Sequence, residues 1–225
     1  MLPPAEYQTI AASLDCVELT SSEIVQQSRR PILHVWFPND CLISLRAEIN
    51  ADAMLEIGLA GAEGVVGVAG ARNGGDSLLT AIVQNGGSAM RIDVSHLKRN
   101  LPDCPALQHA LNMSIHGLMM QASQTAICSH YHLLEARLAR SLLMTRDRLH
   151  TNEFHLTHEF VAHALGVRRV GVTKAATALQ THNLISYTRG AITIVDGAGL
   201  EAAACVCYPM DRRQLDATIA GKLVK

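Results

Sequence analysis

No apolar run in the chain approaches the roughly 18 residues needed to cross a bilayer; "GVVGVAGA" and "AITIV" are among the longest. The opening "MLPPAEYQTI" lacks the basic-then-apolar layout of a secretory leader, so a cytoplasmic protein without a membrane partner is expected. Six cysteines, at positions 16, 41, 104, 128, 205 and 207, form no CxxC pair and no metal-finger spacing. That argues against a disulfide framework and against a structural zinc site, leaving reduced, mostly buried thiols and no metal as the expectation. Cys205 and Cys207, in "LEAAACVCY", read as a helix face packed on the C-terminal domain. Also missing are a nucleophile-base pair, clustered carboxylates and metal-ligand spacing, and His158-Glu159 lacks the context of a metalloprotease motif. An enzyme is not expected.

What is present is enough apolar material for a large core: 48% of the 225 residues are hydrophobic. The net charge of −1 hides an asymmetry. Residues 1–130 carry 7 Lys/Arg against 12 Asp/Glu, whereas residues 131–225 carry 12 against 8. A basic C-terminal half points toward a polyanionic partner.

From Val17 to about Ile92 short β-type runs alternate with turn residues: "ILHVWF", "CLISLRA", "MLEIGLA", "GVVGV", "LLTAIVQ" and "SAMRI". That pattern predicts a small antiparallel barrel or sandwich. After Pro102 and Pro105 the chain runs to about His150 with no further proline and only Gly117, a helical composition. Leu107, Leu111, Ile115, Leu118 and Ala122 recur at spacings of three and four, so they form one stripe. Its own barrel or the same helix of a second chain can cover such a stripe, and two-fold pairing is the expectation. "ICSHYH" marks the break before a second helix, "LLEARLARSLLMTRDRL". The resulting division is residues 1–100, an effector domain; 101–130, a dimerisation helix; and 131–225, a C-terminal domain ending in a helical tail.

The C-terminal part carries the most specific pattern. Thr157 reads as the N-cap of "HEFVAHAL", with Phe160, Val161, Ala164 and Leu165 facing inward, and Gly166 ends that helix. A tight turn leads to a second helix whose Val172, Ala175, Ala176 and Leu179 follow i, i+3, i+4, i+7. This is a helix-turn-helix. Arg168, Arg169, Val170, Thr173, Lys174 and Thr177 are left facing outward. Asn183 then caps the helix, and "LISY", a "TRG" turn and "AITIV" predict a hairpin wing. A helix N-terminus and long cationic side chains suit phosphate and guanine, so the pair of helices and the wing predict duplex DNA as partner.

Barrel, long helix and winged helix-turn-helix in this order resemble the bacterial Crp/Fnr transcription regulators. The likeness spans nearly the whole chain and is strongest in "FHLTHEFVAHALGVRRVGVTKAATALQTHNLISYTRGAITIVD", with its "LG" turn, "V-T-K" and "NLI" exit. The resemblance implies an α+β fold: an N-terminal cyclic-nucleotide-binding-like β-roll (a jelly roll), a long dimerisation helix and a C-terminal winged helix-turn-helix. It implies a homodimer on a palindromic operator, with RNA polymerase as a further partner. It also implies groove-facing roles for Arg169 and Lys174, and phosphate contacts for Arg168, Thr173 and Arg189. Gly171 departs from the relatives, and two readings stay open: close approach to the DNA backbone or tolerated drift.

The β-roll departs further. Relatives that bind cyclic nucleotide carry a Gly-Glu pair and a downstream Arg before Ser or Thr. Here Val65 stands in place of the carboxylate and Leu79 in place of the guanidinium, leaving Thr80 of the polar set. An anionic phosphate would lack its cation, a cost of several kcal/mol, so cyclic AMP is not expected. Arg72, in "AGARNGGDS", is the candidate substitute cation for some other effector, against the reading that this glycine-rich loop is only a turn. The lack of an N-terminal cysteine cluster argues against iron-sulfur chemistry, and the scattered His34, His96, His109, His116, His130 and His132 argue against haem. The expected function is therefore a sequence-specific, DNA-binding regulator responding to an unidentified signal. The alternative is a ligand-binding or scaffold protein whose winged domain meets a protein.

Overall fold

A computed structural model describes residues 2–50, 53–72 and 74–221. The chain opens with α1 (Pro4–Ala11), then β1 (Asp15–Leu19), β2 (Ile24–Gln26), β3 (His34–Pro38), β4 (Leu42–Asn50), β5 (Ala53–Ala60), α2 (Val68–Arg72), β6 (Thr80–Asn85) and β7 (Gly87–Asp93). Two antiparallel sheets, ordered β1-β7-β3 and β2-β6-β4-β5, close over Trp36, Ile43, Leu45, Ala81 and Val83. The expected strand at "GVVGV" does not form. Only Val66 makes a bridge, to Trp36, and Val68 already starts α2.

The chain continues through α3 (Val94–Asn100) and a short 3-10 turn into α4 (Pro105–Tyr131) and α5 (Leu134–Leu149). The break falls at His132 and Leu133, as "ICSHYH" predicts. Cys104 offers α4 no side-chain cap; instead Glu6 of α1 accepts from Ala106 N (3.0 Å) and Leu107 N (2.9 Å). Placing a carboxylate on free N–H groups at a helix start is favourable both as hydrogen bonding and against the helix dipole.

The apolar stripe of α4 faces inward, contrary to the pairing expected of it. Leu107 and Leu111 are buried with Val35, Ile92 and Leu97, and Ile115 packs on the same cluster. Leu118 packs on the barrel core, its Cδ1 so close to Gly58 that a Cβ there would clash. The barrel is hydrophobic toward α4, so the stripe is spent within one chain and these leucines do not face a second. Gln121 supports the same contact: its amide accepts from Leu59 N (2.9 Å) and donates to Leu59 O (3.2 Å), completing the open edge of β5.

The C-terminal region comprises β8 (Glu153–His155), α6 (His158–Leu165), α7 (Arg169–Thr181), β9 (Ile185–Thr188), β10 (Ala191–Ile194), α8 (Gly197–Ala203) and α9 (Cys207–Ile219). Its core joins Leu138, Leu142 and Leu143 of α5 to Val172, Ala175, Ala176 and Leu179 of α7 and to the wing residues Ile185, Ile192 and Ile194. The wing has three strands, ordered β8-β10-β9, one more than the hairpin expected.

Candidate nucleic-acid interface

The helix-turn-helix is built as its sequence dictates. Thr157 caps α6, its hydroxyl accepting from Phe160 N (3.1 Å). Gly166 closes the helix in the left-handed region at φ 64°, and Val167 N donates back to Ala162 O (2.9 Å), which satisfies a terminal carbonyl. Arg168 then takes the N-cap position of α7, where no side chain caps the first turn. The unsatisfied N–H groups and the positive end of the helix dipole are thus both open.

Arg168, Arg169, Val170, Thr173, Lys174 and Thr177 are all exposed, and Val172, Ala175, Ala176 and Leu179 are buried beneath them. Val170 keeps 61% of its surface in solvent, unusual for an apolar side chain that α7 had the option of burying. Thr177 donates to Thr173 O (2.9 Å) and Thr181 to Thr177 O (2.9 Å). The hydroxyl protons are therefore used within the helix, and methyls and oxygen lone pairs face outward. At the tip of the wing, Arg189 (φ 51°) and Gly190 (φ 90°) form the two-residue turn of the β9-β10 hairpin. Two positive φ values in succession match the twist of an antiparallel ribbon and leave Arg189 exposed.

Ion pairing sorts the cations of this half. Arg140 pairs with Asp211, Arg146 with Asp147 and Glu201, Arg148 with Glu63, and Arg212 with Glu201. Arg137 donates to Leu165 O. Among the described residues of this half Arg168, Arg169, Lys174, Arg189 and Arg213 have neither a carboxylate nor another hydrogen-bond partner for their charge, and all but Arg213, on α9, lie at α7 or the wing tip.

Thr157 caps its own helix with its hydroxyl oxygen as acceptor, which leaves the exposed hydroxyl proton free for a partner. A Cβ at Gly171 would meet the movable Leu134 Cδ2 at 3.0 Å, so this glycine faces α5.

Sequence reasoning missed His158 and Tyr187. Their rings stack at 4.3 Å and 14°, His158 Nδ1 lies 3.0 Å from Thr173 Oγ1, and Tyr187 donates to Leu156 O (3.0 Å). The pair couples the cap of α6, the exposed face of α7 and the wing. Burial, and secondarily the Arg169 charge, hold His158 below its ordinary pKa, and burial pushes Tyr187 up. No sequence spacing announces such a stack.

The helix-turn-helix is also gripped by the barrel. The Arg46 guanidinium of β4 lies 3.9 Å above the Phe160 ring and donates to Phe160 O (3.5 Å) and to Ser44 Oγ (3.0 Å). Ser44 in turn donates to Glu56 on β5 (2.6 Å), whose carboxyl is pushed up by burial against the opposing pull of that hydrogen bond and of Arg46. Beside this contact a cleft of about 670 Å³ opens between the β4-β5 ribbon and the α6-α7 turn, lined by Glu48, Met54, Leu55, Leu165 and Arg168.

The residues expected at an effector site do not gather into an anion pocket. Thr80 is buried, donating to Glu48 (2.9 Å) and accepting from Ser28 N (3.1 Å). Val65 lies under α4, its N–H donating to Ser114 (3.1 Å), Leu79 packs on the barrel core, and Arg72 is exposed at the end of α2.

Residues 136–203 match the family model described as the Crp-like helix-turn-helix domain. Solved structures extend the likeness to the rest of the chain. A transcriptional regulator of the Crp/Fnr family from Eubacterium rectale superposes with a TM-score of 0.72 at 18% identity, covering 90% of this chain and 94% of its own. FixK2 from Bradyrhizobium japonicum gives 0.73 at 15%, covering 86% and 98%. The c-di-GMP-responsive global regulator CLP of Xanthomonas campestris gives 0.72 at 14%, covering 85% and 99%. No curated protein matches by sequence. The first and third of these structures are described as regulators. The chain thus carries, over residues 136–203, a segment similar to the Crp-like helix-turn-helix domain, within the fold seen in structures of Crp/Fnr-family regulators.

Proposed function

We propose that this protein is a homodimeric, sequence-specific DNA-binding regulator in which α7 enters the major groove and the wing tip meets the flanking backbone. The observation that carries this reading is the sorting of charge. Arg168, Arg169 and Lys174 around the open N-terminus of α7 and Arg189 at the wing tip are exposed without a carboxylate partner among the described residues, and they are grouped as phosphate and guanine edges require; Arg137 and Arg213, the other unpaired cations of this half, lie away on α5 and α9. Arg169 and Lys174 read bases, Arg168 and Arg189 hold phosphates, and Val170, Thr173 and Thr177 supply short contacts to base edges and sugar.

The chain works as three parts: an effector domain over residues 1–100, a connecting helix over 101–130 and a DNA-binding domain over 131–225. The second chain pairs on the outer face of α4. Asn112, His116, Met119, Ser123 and Ala126 repeat at spacings of four and three, and Met119 and the neighbouring Ile127 are 64% and 51% exposed. Such a dimer places two copies of α7 on half-sites about one helical turn apart. With no helix among the described residues long and apolar enough to cross a membrane, the cytoplasm is the compartment this role needs. The signal acts at the β-roll and is not cyclic AMP, because Thr80 already faces the Glu48 carboxylate and a second anion there would be repelled.

The decisive experiment selects bound duplexes from a random pool and titrates the winner by fluorescence anisotropy over a range of salt. A palindrome is expected, with log K falling steeply and linearly against log salt. Arg169→Ala should cost about 1–3 kcal/mol per half-site, and Met119→Glu should yield monomers in sedimentation. A monomeric wild type, or a flat salt response with no enriched sequence, refutes the proposal and favours a protein partner.

A further inference from the structure

We propose that Cys128, His132, Cys205 and Cys207 together bind one Zn2+ ion in a tetrahedral Cys3His site, which clasps the end of α4 to the start of α9. The four ligand atoms all lie within 4.8 Å of one another. Cys128 Sγ and Cys205 Sγ are 3.5 Å apart, and Cys207 Sγ is 3.4 Å from His132 Nδ1. With Zn–S near 2.3 Å and Zn–N near 2.05 Å, a regular tetrahedron has edges of about 3.8 Å between sulfurs and about 3.6 Å between sulfur and nitrogen. The two shortest edges need only a few tenths of an ångström of adjustment, and the widest, up to 4.8 Å, must draw in by up to about one ångström to close on an ion.

The surroundings fit the same ion. The three thiols are buried and His132 is half-buried, so water competes poorly for the site. Three thiolates and a neutral imidazole around Zn2+ leave a single negative charge, and beside Cys128 stand Arg137, without a carboxylate of its own, and Arg140, shared with Asp211, to offset it. Gln124 hydrogen-bonds Cys207, and Cys205 N donates to Ala136 O (3.4 Å), which orients two of the sulfurs from outside the first shell. A multi-iron cluster does not suit these distances, because its bridging core holds the terminal sulfurs much farther apart. Sequence spacing does not reveal this cluster, for a topological reason. His132 and Cys205 are far apart in sequence, and only the return of the chain after α8 places the CxC against the Cys-x3-His at the end of α4.

The test uses the reduced, metal-free full chain titrated with Co2+. Binding of one ion per chain is expected, with the intense visible bands of tetrahedral cobalt and sulfur-to-metal charge transfer, all bleached by equimolar Zn2+. Cys207→Ser should weaken cobalt binding by at least about 100-fold, and His132→Cys should keep a tetrahedral spectrum with stronger charge transfer. Cys16→Ser, outside the cluster, should change nothing. A pale octahedral spectrum, or a tetrahedral one untouched by Cys207→Ser, overturns the proposal. Should the serine variant fail to fold, the wild type decides alone: retention of one zinc in a native mass spectrum with a raised unfolding temperature supports the site, and an apo mass with no thermal shift refutes it.

Discussion

Removing Arg148 should do more damage than its position on an ordinary α5 turn suggests. Its guanidinium is 4% exposed and donates to Glu63, itself 9% exposed, at 2.8 Å. In Arg148→Met the stem still packs, but Glu63 keeps only the long contact from Gly61 N (3.4 Å) for its charge. A buried ion left without its partner costs about 3–5 kcal/mol. With a urea slope of about 3 kcal/mol/M, the midpoint falls by roughly 1–1.7 M. Adding Glu63→Met removes the stranded carboxylate, and the double variant should recover to within about 1 kcal/mol of wild type, because replacing both members of a buried pair by apolar groups is often near neutral. The assay is urea unfolding followed by circular dichroism on all four members of the cycle. Single variants that each lose less than about 0.5 kcal/mol, with no coupling between them, would refute the reasoning by showing that water screens the pair.

Three further outcomes follow from the interface. Thr157→Ala should lose about 1 kcal/mol of stability in thermal unfolding, with a smaller loss of DNA affinity than Arg169→Ala causes. Gly171→Ala should be neutral or slightly stabilising, since up to about 1 kcal/mol of helix propensity is set against a contact with the movable end of Leu134, and DNA affinity in an anisotropy titration should stay within about twofold. A tenfold loss would return Gly171 to the DNA. The lowered pKa of His158 means that the unfolded chain takes up its proton first as pH falls. Its contribution to stability is thus complete above the ordinary value of 6.5 and is lost as pH falls from there through the lowered value, a loss that His158→Gln should flatten in chemical denaturation at stepped pH.

The helix-turn-helix was legible because its determinants are local. Val172, Ala175, Ala176 and Leu179 announce the buried face, and Gly166 and Asn183 announce the stops, so the outward face follows by subtraction. The stripe of α4 was legible as a stripe and misread as an interface. Periodicity shows that Leu107 and Leu111 must be covered, but the identity of the cover depends on how the barrel closes. β8, with three residues, is too short to show a period. The His158-Tyr187 stack, the Glu6 cap on α4 and the Cys-His cluster join positions 29 to 101 residues apart, distances at which spacing carries no information.

Arg46 touches a hydroxyl on its own strand and both the ring and the carbonyl of Phe160. The first helix of the helix-turn-helix is therefore tied directly to the ribbon beside it. Whatever wedges into the neighbouring cleft and slides that ribbon must carry α6 along, and with it the turn that aims Arg168 and Arg169. Sensing and aiming would then be one rigid movement, so a substitution at Arg46 should unhook the response to a signal while leaving the grip on DNA intact.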